Sequence, residues 1–141
     1  MNDSRRRRWH DWVILVAAAY LVIGLTFAAL AGSASSPQAR VRWRLVAWAL
    51  SAAAFAAHIA YERLRLRNSS AVTALHTSLA VALGALGLAA AANVHAQASA
   101  ASRQSPRLLV ALVAWPLLTA VPAFVVALIG AASLARWRRT R

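Results

Sequence analysis

The sequence predicts an all-α membrane protein, an antiparallel bundle of four transmembrane helices, and three observations predict it. Hydrophobic residues make up 61% of the chain and charged residues only 13%, against about a quarter charged in a soluble domain. The apolar residues gather into four long runs. All 16 basic residues are arginine, and they cluster at the edges of those runs. The 141 residues suffice for one transmembrane domain, 1–141.

The first span covers residues 12–31. About 20 helical residues cross a hydrocarbon core of about 30 Å. Ala29, Leu30 and Ala31 also fit a small-x-small cleavage site. The apolar run exceeds the roughly 7–15 residues of a signal peptide, so the expectation is a retained anchor. The second span, 45–61, is shorter, and Trp43 and Arg44 extend it by lying at the interface. The third covers 71–92 and the fourth 108–135. The fourth is long enough to tilt, and Pro116 and Pro122 would kink it or mark a gate.

The connections GSASSPQARVR (32–42), RLRLRNSS (63–70) and AQASAASRQSPR (96–107) are small and polar, as loops should be. Asn68, Ser69 and Ser70 offer N-caps to the third helix. Short loops make sequential helices antiparallel neighbours. Eleven arginines fall on the side of the chain ends and the middle loop, and five on the other. The positive-inside rule then places both termini in the cytoplasm, in the cell's inner (cytoplasmic) membrane. Trp9, Trp12, Tyr61 and Trp137 fit the inner aromatic belt, with Trp43 and Trp48 near the outer one.

Residues 36–50 and 105–117 both read Ser-Pro, then arginine, then Leu-Val-Ala-Trp-x-Leu. On the same offset His10 roughly matches His76. The pattern reads as a duplicated helical hairpin with parallel copies, or as chance similarity in an Ala/Leu/Val background.

Composition narrows the chemistry. The chain has no cysteine, which excludes thiol ligands, disulfides and iron–sulfur clusters. Its acids are Asp3, Asp11 and Glu62 alone, too few for carboxylate metal sites or paired-carboxylate hydrolysis. The net charge of +13 sits at span edges, which points to anionic lipid at the cytoplasmic face rather than to nucleic acid. No HExxH, GxSxG, Walker or GxGxxG pattern occurs. Asp11 suits a helix N-terminus.

The candidate site is HIAYERLRLRNSSAVTALHTS, residues 58–78. His58 and His76 lie about 7 Å inside the same boundary, on helices joined by a short loop. Ser51, Phe55, His58, Glu62 and Arg65 share one face of helix 2, and Thr73, His76, Ala80, Gly84, Gly87 and Ala91 share one face of helix 3. The small residues Ala80, Gly84, Gly87 and Ala91 suit close helix packing, as do Gly24 and Ala28 on helix 1.

Two readings follow. In one, His58 and His76 ligate haem b, or another macrocycle, with Glu62 supporting them or forming a proton or quinone site. In the other, the histidines make local hydrogen bonds: His58 to Glu62, His76 to Thr73 or a carbonyl, and Glu62 to Arg65. His95 lies 19 residues beyond His76, about 28 Å along the helix, and so supplies no second ligand layer. The function expected is a small integral subunit or accessory scaffold without catalysis of its own, packing against other membrane subunits or itself. The alternative is a redox protein using His58 and His76.

Overall fold

We describe the protein from a computed structural model that covers the backbone of residues 3–98 and 106–137, and the side chains of residues 9–98 and 109–137. The side chains of Arg5 to Arg8, Arg103, Arg107, Arg138, Arg139 and Arg141, used in the orientation count, lie outside the described residues, as does the stretch 99–105 of the third connection.

Four helices form the chain: α1 Asp3–Gly32, α2 Pro37–Leu64, α3 Ser70–Ala98 and α4 Pro106–Trp137. The described residues contain no strand. All four helices are long and apolar enough to cross a membrane. They run 28 to 32 residues, about 42–48 Å, so each outreaches the hydrocarbon core.

The helices extend past the apolar runs because the flanking residues also favour helix. Ser36 caps α2, its side chain accepting from the Ala39 N–H at 3.2 Å, and Pro37 takes the first turn. Arg40, Arg42 and Arg44 are therefore helical. At α3 the cap is Ser69, whose Oγ accepts from the Val72 N–H at 3.2 Å. Pro116 and Pro122 lie inside α4, which continues through both.

The start of α1, the end of α4 and the α2–α3 loop share one end of the bundle. Trp9 stacks on His76, and Arg63 reaches the carbonyl of Ala131 at 3.2 Å. The helices are not packed equally. α3 is central: it packs most extensively on α4, then on α1, and touches α2 sparsely. α1 and α4 do not meet among the described residues.

The α2–α3 pair is thus looser than chain order alone suggests. The reason lies in the small face of α3, which turns to α1. A Cβ at Gly84 would stand 2.8 Å from Tyr20 Cβ, and one at Gly87 3.1 Å from Leu21 Cδ1. At Gly84, where the Ala17 carbonyl oxygen is also only 3.3 Å away, only glycine lets the two backbones approach that closely. In lipid, where apolar burial drives helices together weakly, such contact supplies the association.

The tight packing lies toward the loop end. Ile59, Ala74, Ala127 and Ala131 form one buried cluster, flanked by Phe55, Phe124, Leu128 and Leu134. Val13, Val16 and Ala80 form another, under Trp9, Trp12 and Tyr20. The opposite half is hollow, with a cavity of about 530 Å³ between all four helices.

Arg67 in the α2–α3 loop holds φ at 54°, the left-handed region. Its side chain is exposed. Arg67→Gly removes the Cβ strain at the cost of a more mobile unfolded chain. The expected result is a gain of about 0.5–1 kcal/mol, read as a raised unfolding midpoint in detergent micelles.

Candidate functional site: a buried histidine–glutamate cluster

Glu62 lies in the last turn of α2 and is fully buried. A carboxyl group so placed needs partners, because burial without them costs several kcal/mol. Two elements supply hydrogen bonds, and two more close around them.

From α3, His76 Nδ1 lies 3.0 Å from Glu62 Oε1, with the imidazole N–H as donor when the carboxyl is ionised. From the loop, the Asn68 side-chain amide donates to Oε2. The Asn68 backbone N–H also donates to the Glu62 carbonyl at 3.1 Å. From α2 itself, His58 Nε2 stands 3.8 Å from Oε1, one turn away. That distance is too long for a hydrogen bond. α1 contributes Trp9, whose ring lies parallel to His76 at 4.4 Å.

A second layer holds the first. Arg63 donates to the Asn68 carbonyl, fixing the loop against Glu62. Its Nε donates to the Ala131 carbonyl at 3.2 Å, which ties in α4. Trp12 stacks on Tyr61 at 4.3 Å and links α1 to α2 beside the cluster. Glu62 thus joins α2 to α3 and the loop, and its neighbours His76, Tyr61 and Arg63 carry the contacts to α1 and α4.

Some buried polar atoms remain without hydrogen bonds. They include both ring nitrogens of His58 and the hydroxyls of Thr73 and Thr77. His58 is 1% exposed, and the two threonines are fully buried. Thr73 and Thr77 lie one turn apart on α3, flanking His76 in the sequence.

The structure brings His58, Glu62 and His76 together around one carboxyl group. It pairs His76 with Glu62 rather than with Thr73. Arg65 is exposed and does not pair with Glu62. His95 lies far along α3, beside Asn93 on a groove lined by α1, α3 and α4. His10 is exposed and stacks on Trp9 at 3.7 Å. Of the small residues on α3, Ala80 is fully buried, Gly84 and Gly87 face α1, and Ala91 lines that groove.

Asn68, Arg63, Trp9 and Thr77 complete the site, and sequence reasoning missed them. Asn68 reads as a helix cap, Arg63 as membrane-flanking charge and Trp9 as belt. The available signal for Asn68 was weak: a lone amide six residues beyond Glu62.

The arrangement bears on haem. For His76 Nδ1 to ligate an iron, it would have to give up its 3.0 Å contact with Glu62 Oε1. Trp9 also covers one face of the His76 ring. The residues present fit a shared carboxyl group better than a macrocycle.

The cavity begins one turn from the cluster. Phe55 and Val81 line it, and they lie one turn from His58 and Thr77. Its wall is mostly apolar and includes Tyr20, Trp48 and Trp115. Comparison of the chain with protein-family models, curated proteins and solved structures returned no match.

Proposed function

We propose that the chain is a small integral subunit or accessory scaffold of a larger assembly, in the inner (cytoplasmic) membrane with both termini in the cytoplasm. The observation that carries this reading is the use made of Glu62. It is the sole acid near the middle of the chain, and its two oxygens are occupied by His76 and Asn68. Its chemistry is spent on joining helix ends. The arginine distribution supports the orientation. Partners are other membrane subunits or further copies of the chain, with anionic lipid along the cytoplasmic face.

One observation favours a second reading. The unpartnered nitrogens of buried His58 suit a group that accepts a proton or meets a ligand. A redox protein with a quinone at His58, and with His76 and Glu62 alongside, would use them so.

Purification in mild detergent separates the two readings. A scaffold is expected to co-purify as an assembly heavier than the 15.0 kDa chain, with a featureless reduced-minus-oxidised visible spectrum. A Soret band, or a bound quinone, that disappears in both His58→Ala and His76→Ala would overturn the scaffold reading.

A further inference from the structure

At the end of the bundle opposite the histidine cluster, α1 and α2 line a groove of about 570 Å³. Arg40 and Arg44 line it, one turn apart on α2. Both are exposed, and neither guanidinium has an ion pair or hydrogen bond among the described residues. The described acids, Asp11 and Glu62, belong to the other end. Two uncompensated guanidinium groups at the mouth of one groove form a natural seat for a phosphate, which arginine binds through paired N–H donors.

The rest of the groove is not made for a small soluble anion. Below the arginines the lining becomes apolar: Gly24, Phe27, Ala28, Ala47 and Trp48. Gly24, Ala47 and Trp48 also line the four-helix cavity of about 530 Å³, so groove and cavity share a wall. Along α2 the order is Arg40, Arg44, Ala47, Trp48, Ser51, Phe55. Charge thus gives way to apolar surface along the helix axis, as it does along a lipid from headgroup to chain. Both volumes lie within the roughly 300–1,000 Å³ of small-molecule sites. A wall of that composition is chemically matched to an acyl chain.

We propose that this groove binds one anionic phospholipid, with its phosphate on Arg40 and Arg44 and an acyl chain running past Ala47 and Trp48 toward the cavity. The site is local, and it differs from diffuse attraction of lipid to arginine clusters at the loop end. Arg42 provides the contrast. It lies on the same helix between the two, carries the same charge, and does not line the groove.

Native mass spectrometry of the full chain, released from micelles doped equally with dioleoyl phosphatidylglycerol and dioleoyl phosphatidylcholine, tests this. Retained phosphatidylglycerol should exceed phosphatidylcholine by about tenfold, the ratio that 1.4 kcal/mol of selectivity produces. Arg40→Gln and Arg44→Gln should each bring that ratio close to one, and Arg42→Gln should leave it unchanged. Ala47→Leu should lower retention of both lipids by narrowing the chain path. Soluble glycerol phosphate should not displace the lipid. The proposal fails if Arg42→Gln acts as strongly as Arg40→Gln, if the wild-type chain shows no headgroup preference, if Ala47→Leu retains both lipids fully, or if glycerol phosphate competes.

Discussion

Glu62→Ala is expected to destabilise the protein by about 3 kcal/mol, the largest loss from any single side chain in the bundle. The substitution strips His76 and Asn68 of their shared acceptor and leaves both polar groups beside a cavity. Interhelical hydrogen bonds in membranes average only about 0.6 kcal/mol. A loss well above that follows here because Glu62 holds two elements at once and Arg63 depends on the loop it fixes. Glu62→Gln keeps an acceptor and should cost about half as much. Equilibrium unfolding in mixed micelles measures all of these. A cycle with His76→Ala should show coupling of at least about 0.5 kcal/mol. Additive losses would mean that the 3.0 Å contact carries no energy, and the joining role assigned to Glu62 would go with it.

The same cluster shows how far a sequence of this kind can be read. Helix number and approximate positions follow from apolar length, because hydrocarbon thickness is a stringent ruler. The equal depth of His58 and His76 follows from their spacing about the loop. What the periodicity leaves open is helix rotation. In an alanine-rich span nearly every face is apolar, so no stripe marks the core. That is why His76 reads equally well as a partner of Thr73, of a carbonyl or of a metal, and why Glu62 as the common partner emerges only in three dimensions. Asn68 is hidden for a different reason. Its role depends on the turn through Arg67, where a non-glycine residue takes a left-handed conformation that no local signal announces. Helix order is partly hidden too. Short loops make α2 and α3 neighbours along the chain, yet α3 packs mainly on α4 and then on α1, toward which its glycines turn.

Those glycines yield the second large effect, and its sign should differ from one glycine to the next. At Gly84 an added Cβ meets Tyr20 Cβ at 2.8 Å and the Ala17 carbonyl oxygen at 3.3 Å. Neither is the free end of a side chain, so α1 and α3 must move apart. Gly84→Ala should cost about 1–3 kcal/mol, the range of overpacked cores, even after the helical preference of alanine is counted. At Gly24 the added Cβ meets Leu88 Cδ2 at 2.6 Å and Cδ1 at 2.7 Å. Those are terminal methyls, and a leucine beside a cavity can change rotamer, so Gly24→Ala should stay within about 1 kcal/mol of wild type. At Gly130 the nearest atom is Ile59 Cδ1 at 3.8 Å, an ordinary contact. Gly130→Ala adds packing and removes backbone freedom, and should stabilise by about 0.5–1 kcal/mol. The three unfolding midpoints should therefore rank Gly130→Ala above Gly24→Ala above Gly84→Ala. Equal midpoints for all three would show that α1 and α3 are not held at glycine distance, and the central place of α3 would have to rest on α4 alone.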